Sequence, residues 1–154
     1  LGAQVNQNSV ARTITVSPAP LKGQVIDAAQ IPDLVPILSI VAACAEGTTT
    51  FVNAGRLRIK ESDRLETTGN MLRALGVEVD VLPEGLVVHG RGQFTSATVS
   101  GANDHRIVMS AAIAALRTKG GVTIEGAQAV RKSYPHFFED FSRLGGLVTL
   151  EQDA

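Results

Sequence analysis

The spacing of apolar residues along the chain predicts alternating strands and helices. Short β-branched runs at Val25–Asp27 and Thr48–Val52 are typical of strands. Residues 32–45 are apolar on most sides, which predicts a buried helix that stops at Gly47. Residues 63–75 place leucines and a methionine at helical spacing and lead into a glycine, so a second helix is expected there.

A hairpin and two further helices complete the pattern. The apolar runs 77–81 and 86–89 flank Pro83-Glu84-Gly85, which predicts two strands joined by a tight turn. Two more helices are expected at about 104–117 and 135–144. The order strand, helix, strand, helix, strand, strand predicts a mixed sheet packed on helices.

Short sequence patterns recur in one register, which indicates an internal duplication. The pattern Leu-Gly-Xaa-Xaa-Val at residues 1–5 recurs at 75–79, and Val25 is separated from Val99 by the same interval. The period of about 70 residues exceeds that of solenoid repeats, so each copy is expected to be a small α/β unit. We therefore predict an α/β (α+β) fold of repeated βαβαββ units. The chain would contain the tail of one unit (1–24), a complete unit (25–94) and a last unit (95–154).

Composition argues against several classes of protein. The formal net charge of -1, from 14 basic and 15 acidic residues, argues against a general binder of nucleic acid or anionic membranes. The single cysteine, Cys44, rules out an internal disulfide and suits the reducing cytosol, so a cytoplasmic location is expected. The apolar stretch 34–45 is too short to span a bilayer. The chain begins with neither an initiator Met nor a signal peptide, so a longer parent protein is expected.

Basic residues stand at predicted helix starts, where acids are usually preferred because a helix N-terminus carries a partial positive charge. Arg106 begins one helix, while Lys60 and Arg64 flank the start of another. Lys132 precedes the last helix. A bound anion would make these positions favourable, since free backbone N–H groups and basic side chains would bind it together. The alternative is that each cation pairs with a neighbouring acid on a solvated surface.

The run 56–60 alternates basic and apolar residues. In an extended segment, Arg56, Arg58 and Lys60 would all point the same way. The run follows a predicted strand and leads into a helix, and loops of this kind collect the ligands of α/β folds. A charged edge strand facing solvent is the alternative, and the alternation by itself favours that interpretation.

Carboxylates supply candidate acid–base groups. Asp33 precedes a very apolar helix, and the duplication aligns it with residues 103–106, which include Asp104 and His105. Each of these groups is a candidate for helix capping or for proton transfer. Glu61 is either an ion-pair partner or a proton donor, and the second role requires burial or a bound anion to offset its basic neighbours. The sequence contains no zinc or nucleotide motif, so neither a metal nor a cofactor is expected.

Four stretches together resemble the enolpyruvyl transferases, and in particular the branch that acts on shikimate 3-phosphate. They are Ile-Pro-Asp at 31–33, Lys-Glu-Ser-Asp-Arg at 60–64, Asn-Asp-His-Arg at 103–106 and Lys-Ser-Tyr-Pro-His-Phe-Phe at 132–138. The resemblance covers essentially the whole chain. It implies two domains, each assembled from three βαβαββ units, with the active site in the cleft between them. This chain would be the later part of one domain of a monomeric enzyme, and the other domain lies outside it.

The resemblance also implies roles for the residues expected to face shikimate 3-phosphate. Asp33 would contact the reacting hydroxyl and accept its proton, while Lys60 would contact the same substrate. Glu61 would be the proton donor. Arg56 lies where some members have a polar residue such as Asn, and this departure leaves its contribution to substrate binding open.

For phosphoenolpyruvate, the resemblance implies binding by basic side chains. Arg64, Arg106 and Lys132 would hold its carboxylate and phosphate, with Asp104 and His105 as supporting residues. No cofactor is implied. The reaction would transfer the enolpyruvyl group to the 5-hydroxyl of shikimate 3-phosphate, in aromatic amino-acid biosynthesis. The chain alone is expected to bind weakly and not to turn over.

Two other functions remain open at this point. A sister transferase acts on a UDP-amino sugar (UDP-N-acetylglucosamine), but the Lys-Glu-Ser-Asp-Arg run at 60–64 speaks against it. A nucleic-acid-binding α/β module could use the basic residues of the run 56–60. The net charge of -1 and an aromatic content of 4% disfavour that module, because single-strand binders need aromatic platforms for stacking.

Overall fold

Residues 25–89 fold in the order that the sequence predicts. A computed structural model of the chain describes residues 1–151. The elements of this part are β3 (Val25–Asp27), α1 (Val35–Ala43), β4 (Thr48–Val52), α2 (Arg64–Ala74), β5 (Val79–Leu82) and β6 (Gly85–His89). The strands form one sheet in the order β3-β4-β6-β5, in which β3 and β4 are parallel and the other neighbours are antiparallel.

The flanking parts of the chain repeat portions of this arrangement. They comprise β1 (Gln4–Asn8), β2 (Thr13–Ser17), β7 (Ala97–Ser100), α3 (His105–Ala115), β8 (Val122–Glu125) and α4 (Phe137–Arg143). The strands β1 and β2 form an antiparallel hairpin, as β5 and β6 do. The parallel pair β7 and β8 corresponds to β3 and β4. The predicted class, mixed α/β with sheets packed on helices, is confirmed.

One core joins the sheets to the helices. Phe51 and Leu86 from the central strands pack with Leu65 and Leu72 of α2 and with Ile107 of α3, and all five side chains are fully buried. Burying each such side chain contributes roughly 1.5–3 kcal/mol, so apolar packing between strands and helices stabilises the fold. Within residues 1–151, no helix is long and apolar enough to cross a membrane.

The run 56–60 differs from its prediction. Gly55–Ile59 is a 3-10 helix and not an extended strand, so the expectation that its three cations point one way is wrong. Leu57 is buried, and Arg58 turns back to donate hydrogen bonds to the carbonyl oxygens of Pro83 at 2.8 Å and Leu82 at 2.7 Å. Arg58 also pairs with Asp63 at 2.8 Å. Arg58 is therefore a structural tie between this segment and the turn of the β5–β6 hairpin.

Gly90 allows the close approach of two loops, and its substitution tests this contact. Its N–H donates to the Gly47 carbonyl at 2.9 Å, and a Cβ at this position would fall on the Ala45 carbonyl oxygen. We expect Gly90→Ala to lower the free energy of unfolding by about 3 kcal/mol, because backbone must move. The measurement is urea unfolding followed by circular dichroism.

Gly55→Ala is the matched control for that substitution. A Cβ there would lie 3.2 Å from the end of the flexible Glu84 side chain, which can move away. We expect its effect to stay within about 1 kcal/mol. Equal stabilities of the two variants would show that the close approach at Gly90 is not a constraint on the fold.

Candidate active site

The candidate residues lie in loops that follow the parallel strands. Asp33 follows β3, and Lys60, Glu61 and Arg64 follow β4. In the last part of the chain, Asp104 and Arg106 follow β7, and Lys132 follows β8. Loops at the carboxyl ends of parallel strands are where α/β folds collect their ligands. The fold therefore brings separate stretches of sequence to equivalent ends of the duplicated strands.

Arg64, the first residue of α2, is the centre of the site. Its side chain is only 1% exposed. Its Nε donates to Asp104 Oδ2 at 2.7 Å and its Nη2 to Asp104 Oδ1 at 3.2 Å, which forms a two-pronged ion pair. Nη1 donates to Asp33 Oδ1 at 2.8 Å, and Nη2 also donates to Glu61. All three nitrogens of the guanidinium are thus engaged by carboxylates of this chain.

Asp104 is the buried partner of Arg64 and also caps α3. Besides Arg64, it accepts hydrogen bonds from the Arg106 backbone N–H at 3.0 Å and from the Ser62 hydroxyl at 2.9 Å. Burial raises the pKa of Asp104, but the bonds from Arg64, the Arg106 backbone and Ser62 outweigh burial and hold that pKa below its ordinary value. The bonds to Asp104 likewise raise the pKa of Arg64 despite its burial. Both groups are therefore charged at neutral pH.

Asp33 lies at the solvent-facing side of Arg64, with 44% of its side chain exposed. Its carboxylate is 3.3 Å from Lys60 Nζ and 3.4 Å from Arg106 Nη2, and its backbone carbonyl accepts a hydrogen bond from Arg106 Nη1. Partial burial raises the pKa of Asp33, but the charges of Arg106, Lys60 and Arg64 hold it below its ordinary value. Asp33 is therefore a carboxylate surrounded by cations.

The structure brings six of the sequence-predicted residues together. We call them the charge cluster: Asp33, Lys60, Glu61, Arg64, Asp104 and Arg106. Lys132 is not in contact with the other cations; its ammonium donates to the Asn103 carbonyl, one residue from Asp104. Arg56 is exposed, and within residues 1–151 it makes no ion pair. His105 is largely buried beside Asp104, and its Nδ1 has no hydrogen-bond partner in that range.

Two features of the site were not recognised in the sequence. Ser62 bonds to Asp104 across 42 residues, and a serine in a loop carries no signal of a partner so distant. Ala102 and Asn103 both adopt left-handed backbone conformations, with φ of 50° and 52°, directly before Asp104. Such strain costs about 1–2 kcal/mol for a residue like alanine and is retained where it orients functional groups. Asn103 was a partial signal, since Asn tolerates this conformation.

A cavity of about 230 Å³ opens beside the charge cluster. Asp33 and Arg106 contribute to its lining, and most of the remaining lining is apolar: Ile37 of α1, Met109 and Ile113 of α3, and Phe137 of α4. The cavity is large enough for a small molecule. Two charged side chains in a mostly apolar lining suit a compact, charged ligand.

Comparison with known proteins identifies the family of the chain. Residues 1–141 match the sequence model of the family described as EPSP synthase (3-phosphoshikimate 1-carboxyvinyltransferase). The chain belongs to the EPSP synthase family. It is 56% identical over 126 residues to the 3-phosphoshikimate 1-carboxyvinyltransferase of Clostridium acetobutylicum. That alignment covers 82% of this chain and 29% of the Clostridium acetobutylicum protein. It is 47% identical over 148 residues to the enzyme of the same name from Methanocella arvoryzae, covering 96% and 35%.

The fold of the chain is also similar to that of a solved EPSP synthase structure. EPSP synthase from Acinetobacter baumannii superposes with a TM-score of 0.84 at 35% identity, over 90% of this chain and 34% of that one. The chain therefore spans about a third of the length of the EPSP synthases that it matches. The predicted family is confirmed, and the expectation that the chain is part of a longer protein fits the greater length of its relatives.

Removal of Asp104 tests whether the Arg64 ion pair holds the site together. We expect Asp104→Asn to lower the free energy of unfolding at pH 7 by about 3–5 kcal/mol, because it leaves a buried guanidinium without its main partner. Since folding lowers the pKa of Asp104, its contribution is present above about pH 4 and is lost as the pH falls through the folded-state pKa. The measurement is urea unfolding at pH 7 and pH 3.

The difference between the native chain and Asp104→Asn should therefore shrink at pH 3. Glu78→Gln removes a charge from an exposed position and is the control, with little effect at pH 7. A stability of Asp104→Asn equal to that of the native chain at pH 7 would contradict the central place given to this ion pair.

Proposed function

We propose that this chain supplies part of the active site of an enzyme that transfers the enolpyruvyl group of phosphoenolpyruvate to the 5-hydroxyl of shikimate 3-phosphate and releases phosphate. The observation that carries the proposal is the charge cluster, in which three cations and three carboxylates from separate loops converge beside a cavity. The activity belongs to the shikimate pathway of aromatic amino-acid biosynthesis. A single free cysteine supports a cytoplasmic setting.

Basic side chains of the cluster suit the donor substrate. Phosphoenolpyruvate carries a carboxylate and a phosphate, and an arginine can bind either with two hydrogen bonds. Arg106 faces solvent at the cavity, with 33% of its side chain exposed, and is the cation best placed to meet such an anion. Arg64 is 1% exposed and already donates to Glu61, Asp33 and Asp104, so it is less accessible to a ligand than Arg106. Lys132 joins by exchanging the Asn103 carbonyl for a ligand oxygen.

The carboxylates suit the two proton transfers of the reaction. The 5-hydroxyl forms a C–O bond to the central carbon of phosphoenolpyruvate and gives its proton to Asp33. Glu61 protonates the methylene carbon, which becomes a methyl group, and the product of addition is a tetrahedral ketal. The C–O bond to phosphate then breaks, and phosphate leaves with the proton that Asp33 had accepted. The methyl group gives a proton back to Glu61, and the enol ether remains. Lys60 and Arg56 provide further contacts to shikimate 3-phosphate.

The rest of the site lies outside this chain. EPSP synthases are about three times as long, which supports a second domain that supplies further substrate contacts. The order of the elements supports the division of this chain into the tail of one unit (1–24), a complete unit (25–94) and a last unit (95–154). We propose that the complete enzyme is a monomer that needs both domains for turnover.

Substitution of Arg106 tests the binding of the donor. We expect Arg106→Ala to weaken the binding of phosphoenolpyruvate, measured by NMR titration with shikimate 3-phosphate present, by about tenfold or more, because a charge-assisted hydrogen-bonding partner is lost. Arg143→Ala removes an exposed arginine of α4 and is the matched control, with unchanged affinity. Equal affinities of the two variants would remove Arg106 from the site.

A chimera tests turnover. The matching 126-residue part of the Clostridium acetobutylicum enzyme would be replaced by the corresponding part of this chain. We expect the chimera to release phosphate only when phosphoenolpyruvate and shikimate 3-phosphate are both present, and the same chimera with Arg106→Ala to lose most of this activity. A folded chimera that binds neither substrate would refute the proposed function.

A further inference from the structure

The cations of the charge cluster are balanced by carboxylates of the same chain. Lys60, Arg64 and Arg106 face Asp33, Glu61 and Asp104, so the formal charge of the cluster is zero. A site that binds anions through Coulomb attraction alone would show an excess of positive charge. The net charge of the cluster therefore does not by itself attract an anion.

Asp33 occupies the place where an anion would meet the accessible cations. Its Oδ1 lies 3.3 Å from Lys60 Nζ and 2.8 Å from Arg64 Nη1. Its Oδ2 lies 3.4 Å from Arg106 Nη2. Arg64 is buried, so the cations open to solvent are Lys60 and Arg106, with 28% and 33% of their side chains exposed. Any anion that binds between these two must place its oxygens against those of Asp33.

We propose that Asp33 determines specificity by excluding simple oxyanions, such as sulfate, from the pocket between Lys60 and Arg106. Such an anion has no proton to donate to Asp33, so its oxygens meet a like charge and two acceptors face each other. A hydroxyl group, such as the 5-hydroxyl of shikimate 3-phosphate, instead donates a hydrogen bond to Asp33, and the anionic groups of a second ligand then meet the cations with that repulsion reduced. The inference rests on the proposed function and extends it to the rejection of competing anions.

The surroundings of Asp33 support this role. The charged groups that face it are Lys60 from the loop before α2, Arg64 from α2 and Arg106 from α3. On its cavity side the wall is formed mainly by apolar side chains, including Ile37 and Met109. These cations hold the pKa of Asp33 below its ordinary value, so the repelling charge persists throughout the neutral range.

Sulfate is the probe, because it carries two charges and does not titrate between pH 4 and pH 8. We expect Asp33→Asn to bind sulfate at least about tenfold more tightly than the native chain in an NMR titration at pH 7, because one like charge about 4 Å away has been removed. Asn is nearly isosteric and the site is half exposed, so the fold is retained; Asp33→Ala gives a second variant with the same expectation.

Two further variants locate the effect. Asp80→Asn removes a carboxylate on β5, outside the cluster, and is expected to leave sulfate binding unchanged. Glu61→Gln removes a charge that contacts Arg64 alone among the cations, and its gain should be clearly smaller. Sulfate affinity of the Asp33 variants no higher than that of the native chain overturns the proposal. An equal gain in sulfate affinity in Glu61→Gln also overturns it, because the affinity would then depend on the total charge of the cluster and not on the position of Asp33.

A titration of the native chain with phosphoenolpyruvate and shikimate 3-phosphate together tests the proposed function separately from the role of Asp33 in excluding anions. If the native chain binds phosphoenolpyruvate with shikimate 3-phosphate while the Asp33 variants gain no affinity for sulfate, the exclusion role fails and the function stands. If the Asp33 variants gain sulfate affinity while the native chain ignores both substrates, the proposed substrates are wrong and the exclusion role stands.

Discussion

The buried ion pair between Arg64 and Asp104 is the interaction on which the site depends. It joins the first turn of α2 to the N-terminal cap of α3, across 40 residues of sequence. Isolated charges are costly to bury, so neither residue is tolerated there without the other. A pair of this kind adds little net stability compared with apolar packing. Its contribution is geometric, because it fixes the relative position of two helix starts that carry the remaining charged groups.

From this pair, the charges extend outward in an order of increasing exposure. Asp104 and Arg64 are buried, while Lys60, Arg106, Glu61 and Asp33 are partly open to solvent. In the inner pair, four hydrogen bonds to carboxylates hold the Arg64 guanidinium in place. The contacts of Asp33 with Lys60 and Arg106 are longer, at 3.3 and 3.4 Å. The cluster thus combines a buried ion pair with a more exposed set of charged groups.

Much of the fold and part of this site follow from the sequence alone. Helical spacing in 63–75 and the duplicated strand patterns predict local elements, because they depend on which face of a segment is buried. The cations at helix starts indicate an anion site for a similar reason: they break a local electrostatic preference. The helix at Gly55–Ile59 is different, because Arg58 is held by carbonyl groups of Leu82 and Pro83 far along the chain. No periodicity within 56–60 reports those partners.

The burial of Arg64 could not be predicted either, because two of its three partners lie far away in the sequence. This burial changes the interpretation of the cluster. An arginine at the start of a helix suggests an exposed cation that is free to bind an anion, yet the Arg64 guanidinium is buried and donates hydrogen bonds to carboxylates from three different loops. The duplication supplies two of these: Asp33 after β3 and Asp104 after β7 occupy corresponding loops. Asp104 contacts Arg64 from the buried side, and Asp33 contacts it from the solvent side. Corresponding loops therefore differ in exposure: the carboxylate of Asp104 is buried and that of Asp33 is open to solvent.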